Sequence, residues 1–312
     1  LSNTVKAPWY KLSPDGTGSW VNPKDSPAPL GEIESKTFIY TSAKKNLQAT
    51  NYNGDVKKFA EELDTFSADL NDFYARDEDA SGSLNRKSTD PSIPNHKHRL
   101  VNDIAISKGG AHSGYPVMWI NFDPDSTKIA QNPLNNWTLW HEVGHNAAES
   151  PFAINGAREV VNNLLGLYMQ DKYLKKMNRV ERSLRIVKDQ IEAETGHVWG
   201  AVGGGIRLLM FAQIKIWAEK KFNINDWYSG SLPSWYDQTD GMKGWNLFKL
   251  MHRMTRNEND PAIQLKGGAN KCYGQNLNVN DRFMLCTSYA AQKDFTDFFV
   301  KWNPGSQATL VP

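Results

Sequence analysis

The pattern of apolar and polar positions changes once along the chain, from a mixed first half to a helical second half. Residues 55–75 place apolar side chains three and four positions apart, which predicts an amphipathic helix with one buried stripe. Shorter apolar segments at 36–42, 99–107 and 109–123 predict strands, the last of them after a glycine-bearing turn. The stripe of the predicted helix consists of Val56, Phe59, Ala60, Leu63, Phe66, Leu70 and Phe73.

From residue 135 onward, the spacing of apolar residues is helical almost throughout. Helices are predicted at 136–148, 157–177, 179–194, 204–222, 243–256 and 279–301, the last of them broken. The predicted fold class is therefore α+β, with a mixed, sheet-containing N-terminal half and a mainly helical C-terminal half.

Composition divides the chain into three stretches. Residues 1–35 are rich in Pro, Gly, Ser and Asp, which predicts an irregular N-terminal arm. Residues 36–150 are expected to form the α+β half with an edge strand, and residues 151–312 the helical half. We expect the active-site cleft between these two halves, since binding sites are common where two packed units meet.

Composition and charge exclude several classes of protein. The chain has 312 residues, 39% of them hydrophobic and 22% charged, which is typical of a soluble globular protein. A net charge of +2 gives no basic field for nucleic acid, and no apolar run reaches the ~18 residues that span a membrane. Leu1 begins within polar sequence, so we expect either a removed signal or a domain of a longer protein. We expect the domain to be monomeric.

The two cysteines, Cys272 and Cys286, lie 14 positions apart in a polar, glycine-containing stretch. No CxxC pair occurs, which excludes a cysteine zinc ribbon. In an extracellular protein these two residues are expected to form one local disulfide. The alternative is two free, half-buried thiols.

The strongest chemical signal is the stretch NWTLWHEVGHNAAES, residues 136–150. His141 and His145 lie four positions apart, so a helix presents both imidazoles on one face, within reach of a single Zn²⁺ ion. Glu142 lies beside this pair and is predicted to be the general base that takes a proton from water. The alternative is a solvated helix face with two unrelated histidines.

A catalytic zinc needs a third protein ligand, and two downstream carboxylates compete for this role. Glu149 is four positions beyond His145, but three ligands along one straight helix are too extended to surround one ion. Glu159 follows a predicted turn marked by Pro151 and Gly156, so a second, antiparallel helix can return it to the histidines. We therefore favour Glu159 as the third ligand, with Glu149 as a cap or an outer contact.

Two asparagines follow the favoured third ligand by one helical turn. Asn162 and Asn163 each carry an amide that can accept a hydrogen bond from the free N–H of a ligand histidine and fix its tautomer. Surface or local helix contacts are the alternative for both residues.

The tetrahedral intermediate of peptide hydrolysis needs a cation or a hydrogen-bond donor besides the metal. Arg207, in the first turn of a helix that follows a glycine-rich turn, is one candidate, and His197 is another. Tyr228 and Tyr236 are further candidates among many aromatic residues. Each of these side chains can equally have a structural role, Arg207 by pairing with an acid at the surface.

The stretches HEVGHNAAESPF and GAREVVNNLLGLYMQDKY resemble the enhancin-like, mucin-degrading zinc metallopeptidases, and within them the accessory colonisation factor D-like group. These gluzincins carry HExxH followed by a Glu on the next helix, and His141, Glu142, His145 and Glu159 occupy those positions. The resemblance extends over about residues 36–260. It implies a zincin-like fold with one catalytic Zn²⁺ ion.

In gluzincins a strand above the active-site helix aligns the substrate through main-chain hydrogen bonds. The segment 115–121, just upstream of the HExxH helix, is the candidate for this edge strand, with Tyr115 and Trp119 as substrate-binding residues. For Trp119, burial in the core is the alternative.

The resemblance implies a secreted or surface endopeptidase, as a domain of a larger bacterial protein or lipoprotein, that cuts O-glycosylated mucin-type proteins. One alternative is a general secreted metallopeptidase or aminopeptidase without glycan dependence. The other is a glycan-binding adhesin with structural zinc. The presence of Glu142 argues against the adhesin, since a closed structural site needs no base.

Overall fold

The computed structural model describes residues 4–47, 55–76, 97–103, 106, 109–119, 132–148, 152, 154, 156–191, 203–256 and 270–302. The chain divides into two compact units. The first unit comprises Leu1–Asn71 and Glu78–Ala147, and the second comprises Asp72–Asp77 and Ala148–Pro312.

The first unit is built on one mixed sheet. Its described strands are β1 (Trp9–Leu12), β2 (Gly18–Asn22), β3 (Leu30–Glu34), β4 (Phe38–Ala43), β5 (His98–Asn102), β6 (Ala111–His112) and β7 (Val117–Trp119). Its helices are α1 (Lys44–Leu47), α2 (Val56–Phe73), which ends in the second unit, and α3 (Trp137–Ala147). The strand order is β2-β1-β3-β4-β5-β7-β6. The pairs β1–β3, β4–β5 and β5–β7 are parallel, and the others are antiparallel.

The prediction of an irregular arm at residues 1–35 is wrong, because β1, β2 and β3 lie within it and form one end of the sheet. Tyr10, Leu12 and Ile33 are buried while their neighbours along the strands are more exposed, which is the alternation of a half-buried sheet. Gly18 permits this packing, since a Cβ there would lie 1.9 Å from the Tyr10 hydroxyl oxygen. Strands of four and five residues among Pro and Gly have too little periodicity to be recognised.

The predicted apolar stripe of α2 is confirmed, and it packs against the sheet. The Phe59 ring contacts Tyr40 of β4, with ring centroids 5.6 Å apart. The Phe66 ring contacts Phe38 of the same strand, with ring centroids 6.0 Å apart. All members of the stripe are buried. Burial of each large apolar side chain contributes about 1.5–3 kcal/mol, so the stripe holds α2 on the sheet.

Strand β6 is the edge of the sheet nearest in sequence to α3. Strand β7 pairs with β5 on one side and with β6 on the other. The prediction of an edge strand at 115–121 is therefore wrong for Val117–Trp119, because both of its sides are occupied. Within the described residues, the edge strand at this end of the sheet is β6 (Ala111–His112), which precedes β7 in the chain, and the edge strand at the other end is β2.

The second unit is helical in the part of the chain that the structure describes. Its helices are α4 (Arg158–Val161), α5 (Asn163–Leu174), α6 (Asn178–Ile191), α7 (Gly204–Lys221), α8 (Trp245–Thr255), α9 (Val279–Ala291) and α10 (Thr296–Trp302). The predicted helix at 157–177 is two helices that meet at Asn162. The predicted break within 279–301 falls at Gln292, which has a φ of 51°. The mixed sheet and these helices confirm the α+β fold class.

Cys272 and Cys286 are joined by a disulfide that ties the segment before α9 to the middle of that helix. Both cysteines are buried. The crosslink closes a loop with a sequence separation of 14 residues. A crosslink over a loop of this length removes freedom from the unfolded chain and stabilises the fold by about 3 kcal/mol in the chain-entropy model.

The double variant Cys272→Ala/Cys286→Ala is expected to lose about 3 kcal/mol of unfolding free energy, because its unfolded chain regains that freedom. Urea unfolding followed by circular dichroism measures the difference from the parent protein. A reductant should lower the midpoint of the parent and leave that of the variant unchanged. Equal midpoints for both proteins without reductant would contradict the crosslink.

Candidate metal centre

Helix α3 is fixed at its start by polar contacts. The Asn136 side-chain oxygen accepts a hydrogen bond from the Leu139 main-chain N–H at 3.0 Å. The Trp140 indole N–H donates to the Pro133 carbonyl oxygen at 2.8 Å. An asparagine here caps the helix by satisfying an N–H group that has no partner within the helix. These contacts fix where α3 begins, and with it the face of the helix on which His141 and His145 lie.

Helix α3 has a buried face and a more open face, and the two histidines lie on the more open one. The buried residues are Leu139, Trp140, Glu142, Val143, Gly144 and Ala147. His141 and His145 are half-buried, and their ring centroids lie 4.8 Å apart with an angle of 83° between the rings. Two imidazoles one helical turn apart can therefore approach a common point.

Glu159 follows a tight turn and lies in the first turn of α4. Gly156 has a φ of +72°, a left-handed conformation that glycine adopts without steric cost. The Ala157 N–H donates to the Ile154 carbonyl oxygen at 3.0 Å, which closes the turn. The local sequence around Gly156 thus begins the helix that carries Glu159, whose side chain is exposed.

One potential ligand atom from each of His141, His145 and Glu159 lies within 4.8 Å of the other two. Two imidazole nitrogens and a carboxylate oxygen are a donor set that suits Zn²⁺. Ligand atoms about 2.0–2.1 Å from a tetrahedral zinc lie about 3.4 Å apart, a separation that falls within the 4.8 Å limit of this group. Glu142, which follows His141 directly in the chain, is only 8% exposed and is not one of the three members of the group.

Arg207 holds the turn that precedes Glu159. From the first turn of α7, its guanidinium donates a hydrogen bond to the Gly156 carbonyl oxygen. The start of α7 also lies close to α4, since a Cβ added at Gly204 would meet the Val160 side chain at 3.8 Å. Arg207 therefore contacts the segment that carries the carboxylate. Its predicted contact with a reacting substrate stays a prediction.

The two asparagines after Glu159 have different surroundings. The Asn163 amide nitrogen donates to the Glu159 main-chain carbonyl oxygen at 2.6 Å. Asn162 is fully buried where α4 and α5 meet. Asn163 thus contacts the main chain of the favoured third ligand. The predicted bond from either asparagine to a ligand histidine stays a prediction.

The two aromatic residues predicted to bind substrate differ in exposure. Tyr115 lies between β6 and β7 and is 46% exposed, so solvent reaches its ring. Trp119 lies in β7 and is 0% exposed, so its ring belongs to the core. The prediction that Trp119 binds substrate is wrong, because its neighbours cover it completely.

Four further residues are candidates from the sequence, either for the third ligand or for stabilising the intermediate. Glu149 and His197 lie outside the described residues. Tyr228 is buried and packs edge-on against Trp235, with ring centroids 6.0 Å apart. Burial raises the pKa of the Tyr236 phenol above its ordinary value, so this group stays protonated at neutral pH and can donate a hydrogen bond.

One contact beside the histidines is not foreseen by the sequence patterns. The Asn146 side chain, directly after His145, accepts a hydrogen bond from the Gly114 N–H at 2.9 Å. The same side chain donates to the Gly114 carbonyl oxygen at 2.8 Å. The two residues are 32 positions apart, so no local spacing pairs them.

Comparison with protein families decides what kind of domain carries these residues. The family model described as Peptidase M60, enhancin and enhancin-like matches residues 3–303. The chain belongs to this family. The match includes the early strands as well as the late helices, so both units are parts of the family's domain. Membership confirms the resemblance of the HExxH region and supports a metallopeptidase domain.

The chain is similar over its whole length to parts of two larger bacterial proteins. It is 57% identical to accessory colonization factor AcfD of Vibrio cholerae. It is 50% identical to the putative lipoprotein YghJ of Escherichia coli. Each match covers 100% of this chain and 20% of the relative, so the chain spans about one fifth of the length of these family members.

A solved structure with a similar fold is that of IMPa from Pseudomonas aeruginosa in complex with an O-glycopeptide. The TM-score is 0.56 at 17% identity, and the match covers 97% of this chain and 38% of that chain. At this level of identity the likeness shows a shared fold.

Proposed function

We propose that this chain is the catalytic domain of a zinc-dependent endopeptidase that cleaves mucin-type O-glycosylated proteins. The observation that carries the proposal is the convergence of potential ligand atoms from His141, His145 and Glu159. Glu142, which follows His141 directly in the chain, is buried. A structural zinc site closes with a fourth protein ligand. Within the described residues this group has three members, the number of protein ligands that a catalytic zinc site uses.

The residues of the chain divide the chemistry between them. His141, His145 and Glu159 would hold the zinc, which when bound supplies Lewis-acid activation of water and of the scissile carbonyl. Glu142 takes one proton from the water molecule, whose oxygen forms a bond to the carbonyl carbon. Glu142 then passes this proton to the leaving nitrogen as the C–N bond breaks. The products are a new carboxyl group and a new amine, and the Glu142 carboxylate is restored.

Further roles are assigned to side chains around this group. Arg207 and His197 are proposed to stabilise the negative charge that develops on the carbonyl oxygen of the substrate. Asn162 and Asn163 are proposed to orient a ligand histidine. Tyr115, whose ring is open to solvent after the edge strand β6, is proposed to contact the substrate.

The proposed substrate class is supported by a related fold and by relatives' names. IMPa has been solved in complex with an O-glycopeptide, and the Vibrio cholerae relative is named a colonization factor. The Escherichia coli relative is named a putative lipoprotein, which supports a secreted or cell-surface location. Among the described helices, we find none with the length and apolar content to pass through a membrane.

Glycan dependence separates this function from that of a general metallopeptidase. A peptide with one O-glycan on Ser or Thr is expected to be cleaved at least about 100-fold faster than the same peptide without the glycan, because polar groups that recognise the sugar lose their partners. Chromatography with mass spectrometry of the two digests measures both rates. Equal rates would indicate a peptidase without glycan dependence. An absence of chelator-sensitive cleavage would favour an adhesin with structural zinc.

A further inference from the structure

The two hydrogen bonds between Asn146 and Gly114 join helix α3 to the segment that follows strand β6. Peptide hydrolysis requires a fixed position of the substrate relative to the metal ligands on α3. Asn146 extends from α3, next to the favoured ligand His145. Gly114 lies two residues after β6, which is one of the two edge strands of the sheet in the described residues. Both main-chain polar groups of Gly114 bond to the one amide, at 2.9 Å and 2.8 Å.

This contact fixes orientation as well as distance. One hydrogen bond leaves free rotation about its axis, whereas an amide that both accepts and donates holds its partner in a single plane. Gly114 has a φ of +128°, a conformation that residues with a side chain rarely adopt. Its main chain can therefore turn both the N–H and the carbonyl towards α3. We call the two hydrogen bonds the Asn146 clamp.

The Asn146 clamp is relevant to catalysis because β6, next to Gly114, is an edge strand that can bind a substrate peptide. An extended peptide adds to such an edge through main-chain hydrogen bonds, and side-chain contacts then select its sequence. Strand β6 is only two residues long, so little of the sheet itself holds it in place. The clamp ties the segment after β6 to the helix that presents His141 and His145.

We propose that Asn146 is a positioning residue, which clamps Gly114 to α3 and so holds the edge that receives the substrate main chain at a fixed distance from the metal ligands. This inference rests on the proposed function. The position of the scissile bond relative to the catalytic groups would then depend on Asn146, a side chain that is not itself a metal ligand. A displacement of about 1 Å between substrate and catalytic groups can cost about 100-fold in rate.

The clamp contributes little to the stability of the fold. The Asn146 side chain is exposed, and a hydrogen bond that water can replace contributes about 1 kcal/mol or less. The metal ligands are other residues. The variant Asn146→Ala should therefore fold and bind zinc, which leaves its effect on catalysis measurable.

The test compares Asn146→Ala with the parent protein on two glycopeptides that share the scissile bond and the glycan. One peptide extends several residues to either side, and the other is cut back to the residues that flank the bond. We expect kcat/KM to fall at least about tenfold on the long peptide and less than about twofold on the short one, since only the long chain reaches the edge. Zinc content, measured by elemental analysis, should be unchanged.

Two further variants sharpen the test. Gly114→Ala disturbs the other side of the clamp and should show the same dependence on peptide length. Combined with Asn146→Ala it should add little, because both changes remove one contact. Asn270→Ala is the matched control, since Asn270 also bonds two main-chain groups, donating to the Met254 carbonyl at 2.7 Å and accepting from the Cys272 N–H at 2.9 Å. It should leave both peptides unaffected.

The outcomes distinguish the clamp from the proposed function. Equal losses on the two peptides, or no loss on either, with an active parent protein would overturn the positioning role. A parent protein that cleaves neither peptide would instead overturn the proposed function, and the clamp with it.

Discussion

Replacement of Glu142 by glutamine is expected to lower kcat/KM on an O-glycosylated peptide by about 10³-fold, the scale of a lost general base. The Glu142 side chain is only 8% exposed, and glutamine fills the same volume without being able to take a proton. His141, His145 and Glu159 are untouched, so zinc content should equal that of the parent protein. Steady-state kinetics and elemental analysis of the same preparations measure both quantities.

A matched control is available on the surface. Glu181 lies in the first turn of α6 and is exposed, so Glu181→Gln makes the same chemical change where no catalytic role is assigned. It should retain full activity. Glu142→Ala should match Glu142→Gln in activity and zinc content. If Glu142→Gln kept more than about a tenth of the parent rate with normal zinc, another group would have to be the base.

Replacement of Glu159 by alanine is expected to remove zinc and proteolysis together. Only His141 and His145 would remain, and two ligands do not make a catalytic zinc site. Loss of an outer contact to a ligand already costs about 10–100-fold in metal affinity, so loss of a ligand should exceed about 100-fold. Elemental analysis after dialysis measures the zinc that each protein retains.

Thermal unfolding gives a second measurement of the same variant. At a free zinc concentration about 100 times its Kd, the parent protein should gain about 2.7 kcal/mol of stability from the metal. Glu159→Ala should gain almost nothing at that concentration. Glu149→Ala is the comparison that decides between the two carboxylates, and it should behave like the parent. If zinc were lost only from Glu149→Ala, the third ligand would be Glu149 and the assignment of Glu159 would be wrong.

The elements that the sequence predicts well are those whose signal is local. The stripe of α2 repeats within one stretch of chain, and burial of a single helix face is enough to produce it. Strands β1 to β3 have no such signal, because they are stabilised by pairing with one another. Trp9 lies opposite Glu32 in a parallel pair that only the folded chain brings together. The position of the sheet edge depends on the same non-local pairing.

The candidate site shows the same division. The histidines and the turn at Gly156 are local features, so their places follow from spacing and turn chemistry. The contact of Arg207 with Gly156 joins residues 51 positions apart, and the Asn146 clamp joins residues 32 apart. Amide and guanidinium groups at such positions are typical of solvent-exposed helix faces. Only the fold shows that they hold main-chain segments next to the favoured metal ligands.

The proposed activity is tested most directly by mass spectrometry of an O-glycosylated mucin after incubation with the protein, with Glu142→Ala as the control. The proposed mechanism predicts new peptide termini next to glycosylated Ser or Thr residues. These termini should be absent after chelation of the metal and absent with Glu142→Ala. The appearance of the same termini with Glu142→Ala, or of none with the parent protein, would contradict a zinc peptidase with Glu142 as its base.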